Sequence, residues 1–245
     1  MSRRWDAGTY DRVSDPLVRM GGDVLARLEL RGDETVIDAG CGTGRVTERL
    51  LERLQDGRVI ALDVSAPMLA EAAVRLARFG DRVTLLEADL NLSLPVTAPA
   101  DALLSTATFH WIHAQGALPG HLAAALRPGA QLVAQCGGEG NCASVFAAME
   151  AEGERPLDRL RFQSPAWARE RYMDAGFTDI EAWLTPEPVT FDTRAEMEAY
   201  LATVFLGPLT DRPASDLPAL AHAVAERLPE PLLDYVRLNI TARRG

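Results

Sequence analysis

The sequence predicts an α/β fold: a seven-stranded, mostly parallel sheet with helices on both faces and a small helical cap insert. Two observations favour it. Short apolar runs such as 36–37 alternate with segments whose apolar residues recur at helical spacing, which is typical of βαβ units. The first predicted strand also ends in the glycines Gly40, Gly42 and Gly44, directly before a helical pattern. Such a turn lets a ligand approach the backbone and the free N–H groups at the helix start.

Composition limits the class of protein. The 245 residues suffice for a single domain, 47% are hydrophobic and 24% are charged, as in an ordinary globular enzyme. A net charge of -10 argues against an extended nucleic-acid surface. No apolar run approaches the roughly 20 residues of a membrane span, and M-S-R-R-W-D has no apolar signal core. We therefore expect a cytoplasmic protein with a small-molecule substrate, and the scattered Cys and His residues predict no metal site.

The glycine turn separates two kinds of nucleotide site. A dinucleotide fingerprint reads G-x-G-x-x-G, whereas here the third glycine comes one residue earlier. Asp38 precedes the turn, where a carboxylate accepts hydrogen bonds from an ammonium group and repels a pyrophosphate. Asp63 ends the second predicted strand and is well placed to accept from ribose hydroxyls. A nucleoside with an amino-acid-like end fits these residues better than NAD.

These residues resemble a known family. D-A-G-C-G-T-G followed by A-L-D-V-S is similar to the first two motifs of the class I, Rossmann-like S-adenosylmethionine (SAM) methyltransferases. The resemblance implies SAM as cofactor and an acid after the third strand, over 82–90, for the adenine amino group. It implies a cofactor site made of Asp38, Gly40, Cys41, Gly42, Gly44, Asp63, Val64, Met68, Ala88, Asp89, Leu90, Ser105 and Tyr10. For Met68, packing in the core is the alternative, and Cys41 is a small residue of the turn.

The chain before the first strand carries aromatic residues. Trp5 and Tyr10 are either an N-terminal cap or, as in related methyltransferases, part of a lid over the cofactor. Residues 16–30 show an apolar helical stripe. We expect one methyltransferase domain over 1–245, with an N-terminal helical lid (1–30), a SAM-binding core (31–140) and a helical cap insert (186–231) between the last two strands.

The fourth predicted strand, starting at 101, runs into a loop that ends near 113. Ligands of open parallel sheets bind at the carboxyl ends of strands, so this loop is where substrate and methyl donor meet. Its pattern resembles the branch of the family that contains the trans-aconitate and malonyl-acyl-carrier methyltransferases. Members of that branch commonly have Asn early in this segment and Leu-Gln before the Trp. Here Thr106 replaces the Asn, and Phe109-His110 replaces the Leu-Gln. The predicted substrate residues are Trp5, Thr106, His110 and Trp111, with His110 as the catalytic candidate because imidazole can act as a base near neutral pH. The alternative for His110 is a structural hydrogen-bonding residue or an exposed side chain.

The remaining elements follow in order. We expect a helix over 118–126 stopped by Pro128-Gly129, a strand over 131–136, and glycines at 137–141 that line the pocket or form a plain loop. A helix over 145–152 and a strand over 177–184 come next. Helices over 194–205 and 219–228 belong to the cap, and a last strand follows from 236.

The reaction that these features favour is O-methylation of a carboxylic acid by SAM. A carboxylate is ionised at neutral pH and needs no base. Arg161, Arg171 and Arg194 are candidates for holding a multi-acid substrate, although a solvated surface charge is the favoured interpretation of each. The alternatives are a methyltransferase acting on O, N or C of a larger apolar metabolite, an NAD(P)-dependent oxidoreductase, and a non-catalytic SAM-binding protein. An apolar cap pocket would favour the first alternative, and a convergent pair of arginines would favour the acid. The sequence leaves the oligomeric state undetermined.

Overall fold

The computed structural model describes residues 15–155 and 160–245. The aromatic residues expected in the lid, Trp5 and Tyr10, lie outside the described residues. Within those ranges, the molecule is built around one sheet, and no described helix is both long and apolar enough to cross a membrane.

The sheet has seven strands in the order β3-β2-β1-β4-β5-β9-β6, and β7 and β8 form a separate two-stranded antiparallel sheet. Only β9 runs antiparallel to its neighbours in the large sheet, so the predicted seven-stranded, mostly parallel sheet is confirmed. The strands are β1 (Thr35–Ala39), β2 (Arg58–Asp63), β3 (Val83–Glu87), β4 (Ala100–Thr106), β5 (Leu126–Gly137), β6 (Phe177–Pro186), β7 (Val189–Thr190), β8 (Leu232–Leu233) and β9 (Val236–Arg244).

Helices cover both faces of the sheet and form the segment between β6 and β9. The α-helices are α1 (Asp15–Leu25), α2 (Arg45–Arg53), α3 (Ala66–Leu76), α4 (Leu118–Ala124), α5 (Ala143–Ala151), α6 (Pro165–Asp174), α7 (Arg194–Tyr200), α8 (Gly207–Leu209) and α9 (Leu217–Glu226). Two 3-10 helices (Ala77–Arg82 and Phe109–Trp111) and a π-helix (Leu201–Leu206) connect them. We call residues 187–235 the helical cap.

Three clusters of buried side chains hold these layers together. One lies between the sheet and α1, α2 and α3, and includes Val24, Val36 and Leu50. A second fills the opposite face under α4 and α6. The third lies off the sheet, where the cap helices pack on α5 around Met149 and Leu206. The cap therefore has a core of its own, while its part in substrate choice stays a prediction.

Several element boundaries differ from the sequence predictions. The predicted helix over 118–126 ends at Ala124, and the strand expected from 131 already begins at Leu126. Gly129 has a φ of 81°, and the pairing of β4 with β5 shifts register between Ala100 and Ala102, so Pro128-Gly129 lies inside an irregular strand start. The strand predicted over 82–90 ends at Glu87. The helix predicted over 194–205 changes to π geometry after Tyr200, and the pairing of β7 with β8 was not predicted.

Candidate functional site

The glycine turn, Gly40–Gly44, connects β1 to α2 at the carboxyl edge of the sheet. The backbone N–H groups of Gly40 and Cys41 both donate to the carbonyl of Leu62, at 2.8 and 2.9 Å. Gly40 has a φ of 88°, and a Cβ there would lie 2.1 Å from Thr108 Oγ1. Gly42 has a φ of 56°, and a Cβ there would meet no atom of the described residues within 4 Å. Gly40 is therefore required by the fold, whereas Gly42 borders open space that a ligand can occupy.

Asp63, at the end of β2, holds this turn in place. Its Oδ2 accepts a hydrogen bond from Gly42 N at 2.9 Å, and its Oδ1 accepts one from Ser65 N at 2.8 Å. The carboxylate therefore lies directly against the glycine turn. The next residue, Val64, is 48% exposed and offers apolar surface beside the carboxylate. This geometry suits the ribose and base of a nucleoside.

Asp38, the acid before the turn, is almost fully buried. Its Oδ2 accepts a hydrogen bond from Thr47 Oγ1 at 2.6 Å, while its Oδ1 has no partner. Burial raises the pKa of Asp38 to about 6, the hydrogen bond from Thr47 opposes this shift, and the nearby charge of Asp63 adds to it. A buried carboxylate oxygen without a donor provides an acceptor for a ligand ammonium group.

Asp89 lies just beyond β3 and is exposed, whereas its neighbours Ala88 and Leu90 are buried. Its Oδ1 accepts from both the backbone N and the side-chain Nδ2 of Asn91, at 2.9 and 2.7 Å. Asn91 Oδ1 in turn accepts from the backbone N–H groups of His113 and Ala114. Sequence reasoning missed Asn91, which locks the loop after β3 to the loop after β4.

Three other predicted cofactor residues have structural partners. Met68 is 4% exposed, in the first turn of α3, where Ser65 Oγ accepts from its backbone N–H at 3.5 Å. Burial raises the pKa of the Cys41 thiol well above its usual range, as expected for a small, unreactive residue of the turn. Ser105 Oγ donates to the carbonyl of Ala39 at 2.7 Å and thereby ties β4 to β1. Contact of these three residues with the cofactor stays a prediction.

The chain leaves β4 through an unusual backbone conformation. Ala107 has a φ of 54°, in the left-handed region that costs a non-glycine residue roughly 1–2 kcal/mol. Its N–H donates to the carbonyl of Gln135 at 2.7 Å, and Thr108 Oγ1 donates to the carbonyl of Thr106 at 2.9 Å. Such strain clusters at functional sites. The turn presents the 3-10 helix that carries His110 and Trp111 toward the cap.

His110 is buried, and its ring stacks on Phe162 with ring centroids 5.9 Å apart. Its Nδ1 accepts a hydrogen bond from the backbone N–H of Gly137 at 3.2 Å. An accepting ring nitrogen carries no proton, so this hydrogen bond assigns the proton of the neutral imidazole to Nε2. The geometry therefore favours His110 as a hydrogen-bond donor over the general base that the sequence suggested.

A cleft lies between the helical cap and the edge of the sheet formed by the carboxyl ends of β4 and β5 and the amino end of β9, and we call it the cap cleft. It contains about 460 Å³ of space free of protein atoms, including the part open to solvent. It is lined by Leu17, Ala107, His110, Trp111, Asn141, Leu160, Phe162, Val204, Phe205, Leu209, Tyr235 and Arg237. Of the predicted glycine loop 137–141, Asn141 reaches this lining.

Arg237 is the functional candidate that sequence reasoning missed. It lies on β9, paired with Gly137 of β5 and Thr185 of β6, and is only 2% exposed. Its Nε has no hydrogen-bond partner, and its guanidinium lies 5.6 Å from the ring centroid of Tyr235. The alternation V-R-L-N-I, with a cation inside a central strand, was the available sign. A buried guanidinium facing a cleft is a binding group for a carboxylate.

The arginines proposed from sequence lie elsewhere. Arg171 pairs with Glu170 and Asp174, and Arg194 donates to the carbonyl of Leu228 and pairs with Glu226. Both are surface or helix-end contacts, in line with the surface-charge interpretation, and neither residue belongs to the described lining of the cap cleft. Arg161 lines a separate cavity beside Phe109 and Trp167. None of the three converges with Arg237.

The cap also carries a cluster of possible metal ligands. Ligand atoms of Glu198, His222 and Glu226 lie within 4.8 Å of one another. His222 Nδ1 lies 3.0 Å from Glu198 Oε1, and Glu226 lies 3.5 Å from Arg194 Nε. His222 and Glu226 are exposed, and these contacts are those of a surface ion-pair network, so the expectation of no metal site stays a prediction.

Comparisons with known proteins agree with this geometry. The family described as "Methyltransferase domain" matches residues 36–129. A trans-aconitate 2-methyltransferase of Methylobacterium nodulans is 33% identical over 98% of this chain and 98% of its own length. Two solved structures share the fold: a SAM-dependent methyltransferase from Mesorhizobium loti (TM-score 0.55, 22% identity, 95% of this chain, 98% of that chain) and the Haemonchus contortus phosphoethanolamine N-methyltransferase 2 with S-adenosylhomocysteine (TM-score 0.66, 17% identity, 98% of this chain, 57% of that chain).

Proposed function

Because this chain belongs to the SAM-dependent methyltransferases, we propose that it transfers the SAM methyl group to a carboxylate oxygen of a small acid. Membership of this family removes the oxidoreductase alternative, since SAM is the cofactor. The name of the Methylobacterium relative, a trans-aconitate 2-methyltransferase, supports a carboxylic acid as acceptor. Within this chain, the residues of the glycine turn and of the cap cleft support the proposal.

The residues at the glycine turn fit SAM. The open space beside Gly42 admits a ligand close to the backbone, and the carboxylate of Asp63 lies against the same turn, beside the place proposed for the ribose. The unpartnered Asp38 Oδ1 is suited to the ammonium group of the methionine part, either directly or through water. Asp89, oriented by Asn91, would accept from the adenine amino group. SAM supplies an electrophilic sulfonium methyl group, while these residues hold and orient it.

The observation that carries the proposal is the buried guanidinium of Arg237. Removing a cation from water without a counter-charge costs several kcal/mol, so such a residue is retained where a ligand provides the partner. Among the described residues no carboxylate forms an ion pair with Arg237, and its Nε has no acceptor. A substrate carboxylate can fill this gap with two parallel hydrogen bonds.

Methyl transfer to a carboxylate requires few further groups from the protein. In an in-line displacement the acceptor oxygen attacks the methyl carbon, the C–O bond forms and the C–S bond breaks. A carboxylate is already ionised at neutral pH, so no base is required. His110, with its proton on Nε2, would help to orient the acceptor oxygen, while Phe162 and Phe205 exclude water from the cap cleft.

The test is transfer of labelled methyl from SAM to a panel of carboxylic acids, with a phenol and an amine as other acceptor classes. We expect esters to form, and Arg237→Met to reduce kcat/KM for acids by about 100-fold or more, the value of a lost charged hydrogen-bond pair. Arg243→Met, on the same strand but exposed, is the matched control. Methylation of the phenol or amine alone, or full activity of Arg237→Met toward acids, contradicts the proposal.

A further inference from the structure

The charge of the cap cleft limits what kind of acid it accepts. Among its described lining residues, Arg237 is the only Lys or Arg. The polar groups beside it are His110, whose Nδ1 already accepts from Gly137 N, and Asn141, whose Oδ1 accepts from Val236 N at 3.1 Å. The described lining can therefore neutralise one carboxylate.

The rest of the described lining is apolar. It comes from α1, from the segment before α6 and from the cap, and consists mainly of Leu17, Leu160, Phe162, Val204, Phe205 and Leu209. A second or third carboxylate placed against these side chains would lose its hydration and find no counter-charge. A hydrocarbon chain or ring placed there would instead be removed from water favourably.

His110 and Arg237 both lie beside Gly137 of β5. Gly137 N donates to His110 Nδ1, and the same residue pairs with Arg237 across the β5-β9 ladder. A Cβ at Gly137 would lie 2.6 Å from Phe162 Cε1 and 3.2 Å from Asn141 Nδ2, so the glycine allows an aromatic wall close to the two polar side chains. One carboxylate can thus face both His110 and Arg237 while the remainder of the substrate lies along the aromatic wall.

We infer, on the premise of the proposed function, that the acceptor is a monocarboxylic acid with an apolar body, and not a tricarboxylic acid. The substrate class is then set by one buried cation at the sheet edge and an apolar wall from the cap. This differs from the tricarboxylate in the name of the Methylobacterium relative. An apolar cap pocket was expected for a larger apolar metabolite and a convergent pair of arginines for the acid. The described lining has the apolar wall and one arginine, which a monocarboxylic acid with an apolar body fits.

The test compares acids of different charge on the full chain with SAM. The panel is trans-aconitate, the dicarboxylate itaconate, and the monocarboxylates sorbate, cinnamate and octanoate, with a phenol and an amine as in the first assay. We expect kcat/KM for the best monocarboxylate to exceed that for trans-aconitate by about 100-fold, because two extra carboxylates go unpaired. A preference for trans-aconitate overturns this inference and leaves carboxylate methylation standing, whereas methylation of the phenol or amine alone overturns both.

A second experiment introduces a cation into the apolar lining of the cap cleft. Leu160→Arg, at a partly buried position of the cleft, should shift the itaconate-to-sorbate ratio of kcat/KM toward itaconate by about 10-fold. Val74→Arg, at a valine that is 78% exposed, is the matched control and should leave the ratio unchanged. An unchanged ratio in a Leu160→Arg protein that still binds S-adenosylhomocysteine overturns the inference.

Calorimetric titration of the wild-type complex with S-adenosylhomocysteine gives a readout that needs no turnover. Sorbate or cinnamate should bind more tightly than trans-aconitate. Tighter binding of trans-aconitate overturns the inference whatever the rates show.

Discussion

The two ligand regions of this molecule are built differently. The cofactor region, residues 35–92, presents its groups from three consecutive strand ends, with Asp38, Asp63 and Asp89 beside backbone N–H donors. The cap cleft takes its lining from residues as distant as Leu17 and Arg237. The family match at 36–129 covers the first region completely and ends before most of the second.

Unsatisfied polar atoms show the same division. Three buried side-chain polar atoms of the described residues lack a partner, and two of them lie in these regions: Asp38 Oδ1 and Arg237 Nε. One is anionic and suits the ammonium of the cofactor, and the other is cationic and suits the carboxylate of the acceptor. Each region therefore keeps one buried charge, and we propose that a ligand of opposite sign pairs with each.

The largest expected effect tests whether the regions are separable. Asp63→Ala removes the acceptor of two backbone N–H groups and of the ribose hydroxyls, so affinity for S-adenosylhomocysteine should fall by about 100-fold or more. Arg237→Met should leave that affinity unchanged and should keep or increase the thermal stability, because a buried unpaired cation is replaced by an apolar chain. Calorimetry and thermal unfolding measure both. An equal loss of affinity in the two variants would show that the regions are coupled.

The second prediction separates fold from binding inside the glycine turn. Both Gly40→Ala and Gly42→Ala place an alanine at positive φ, which costs roughly 1–2 kcal/mol. Gly40→Ala adds a clash with Thr108 and should lower the Tm more than Gly42→Ala. Gly42→Ala instead fills ligand space, so its affinity for S-adenosylhomocysteine should fall by about 10-fold or more. Wild-type affinity in folded Gly42→Ala would contradict a ligand at that surface.

The third prediction concerns pH in the cofactor region. Burial raises the pKa of Asp38 from 3.8 to about 6, so the folded protein binds this proton more tightly than the unfolded chain does. Its contribution to stability is therefore present below about pH 4 and is lost as the pH rises to about 6. The ammonium group requires the ionised carboxylate, so affinity for S-adenosylhomocysteine should fall up to about tenfold per unit below pH 6. Titrations from pH 5 to 8 measure this, and Asp38→Asn should remove the dependence. Equal affinities of the wild-type protein for S-adenosylhomocysteine at the lowest and highest pH of this range would contradict the prediction.

The smallest expected effect lies behind the cap cleft. Tyr200 and Tyr235 share a buried hydroxyl contact of 2.9 Å. Tyr200→Phe leaves the hydroxyl of Tyr235 without this partner and should reduce the unfolding free energy by about 1–2 kcal/mol. The double variant should lose less than the sum of the single ones, and affinity for S-adenosylhomocysteine should not change. Additive losses in denaturant unfolding would show that the two hydroxyls do not depend on each other.

The elements predicted correctly are those whose signals are contiguous. Ser65 caps α3 with Pro67 in its first turn, as its sequence position indicates. The wrong boundaries are at places where distant contacts decide, such as the start of β5, whose early pairing depends on Ala100 of β4. The change to π geometry after Tyr200 likewise occurs where the cap packs on α5, and a helical stripe does not reveal it.

The sequence by itself determined the parallel sheet, the glycine turn and the acids Asp38 and Asp63, because their spacing along the chain fixes their chemistry. The tertiary structure decided the acceptor side. His110 received its tautomer from Gly137, and Arg237 became a buried cation beside them only because the strand order β4-β5-β9 brings these residues together. Hydrogen bonds and burial depend on neighbours in space, and strands joined by long crossovers acquire those neighbours only when the sheet has formed.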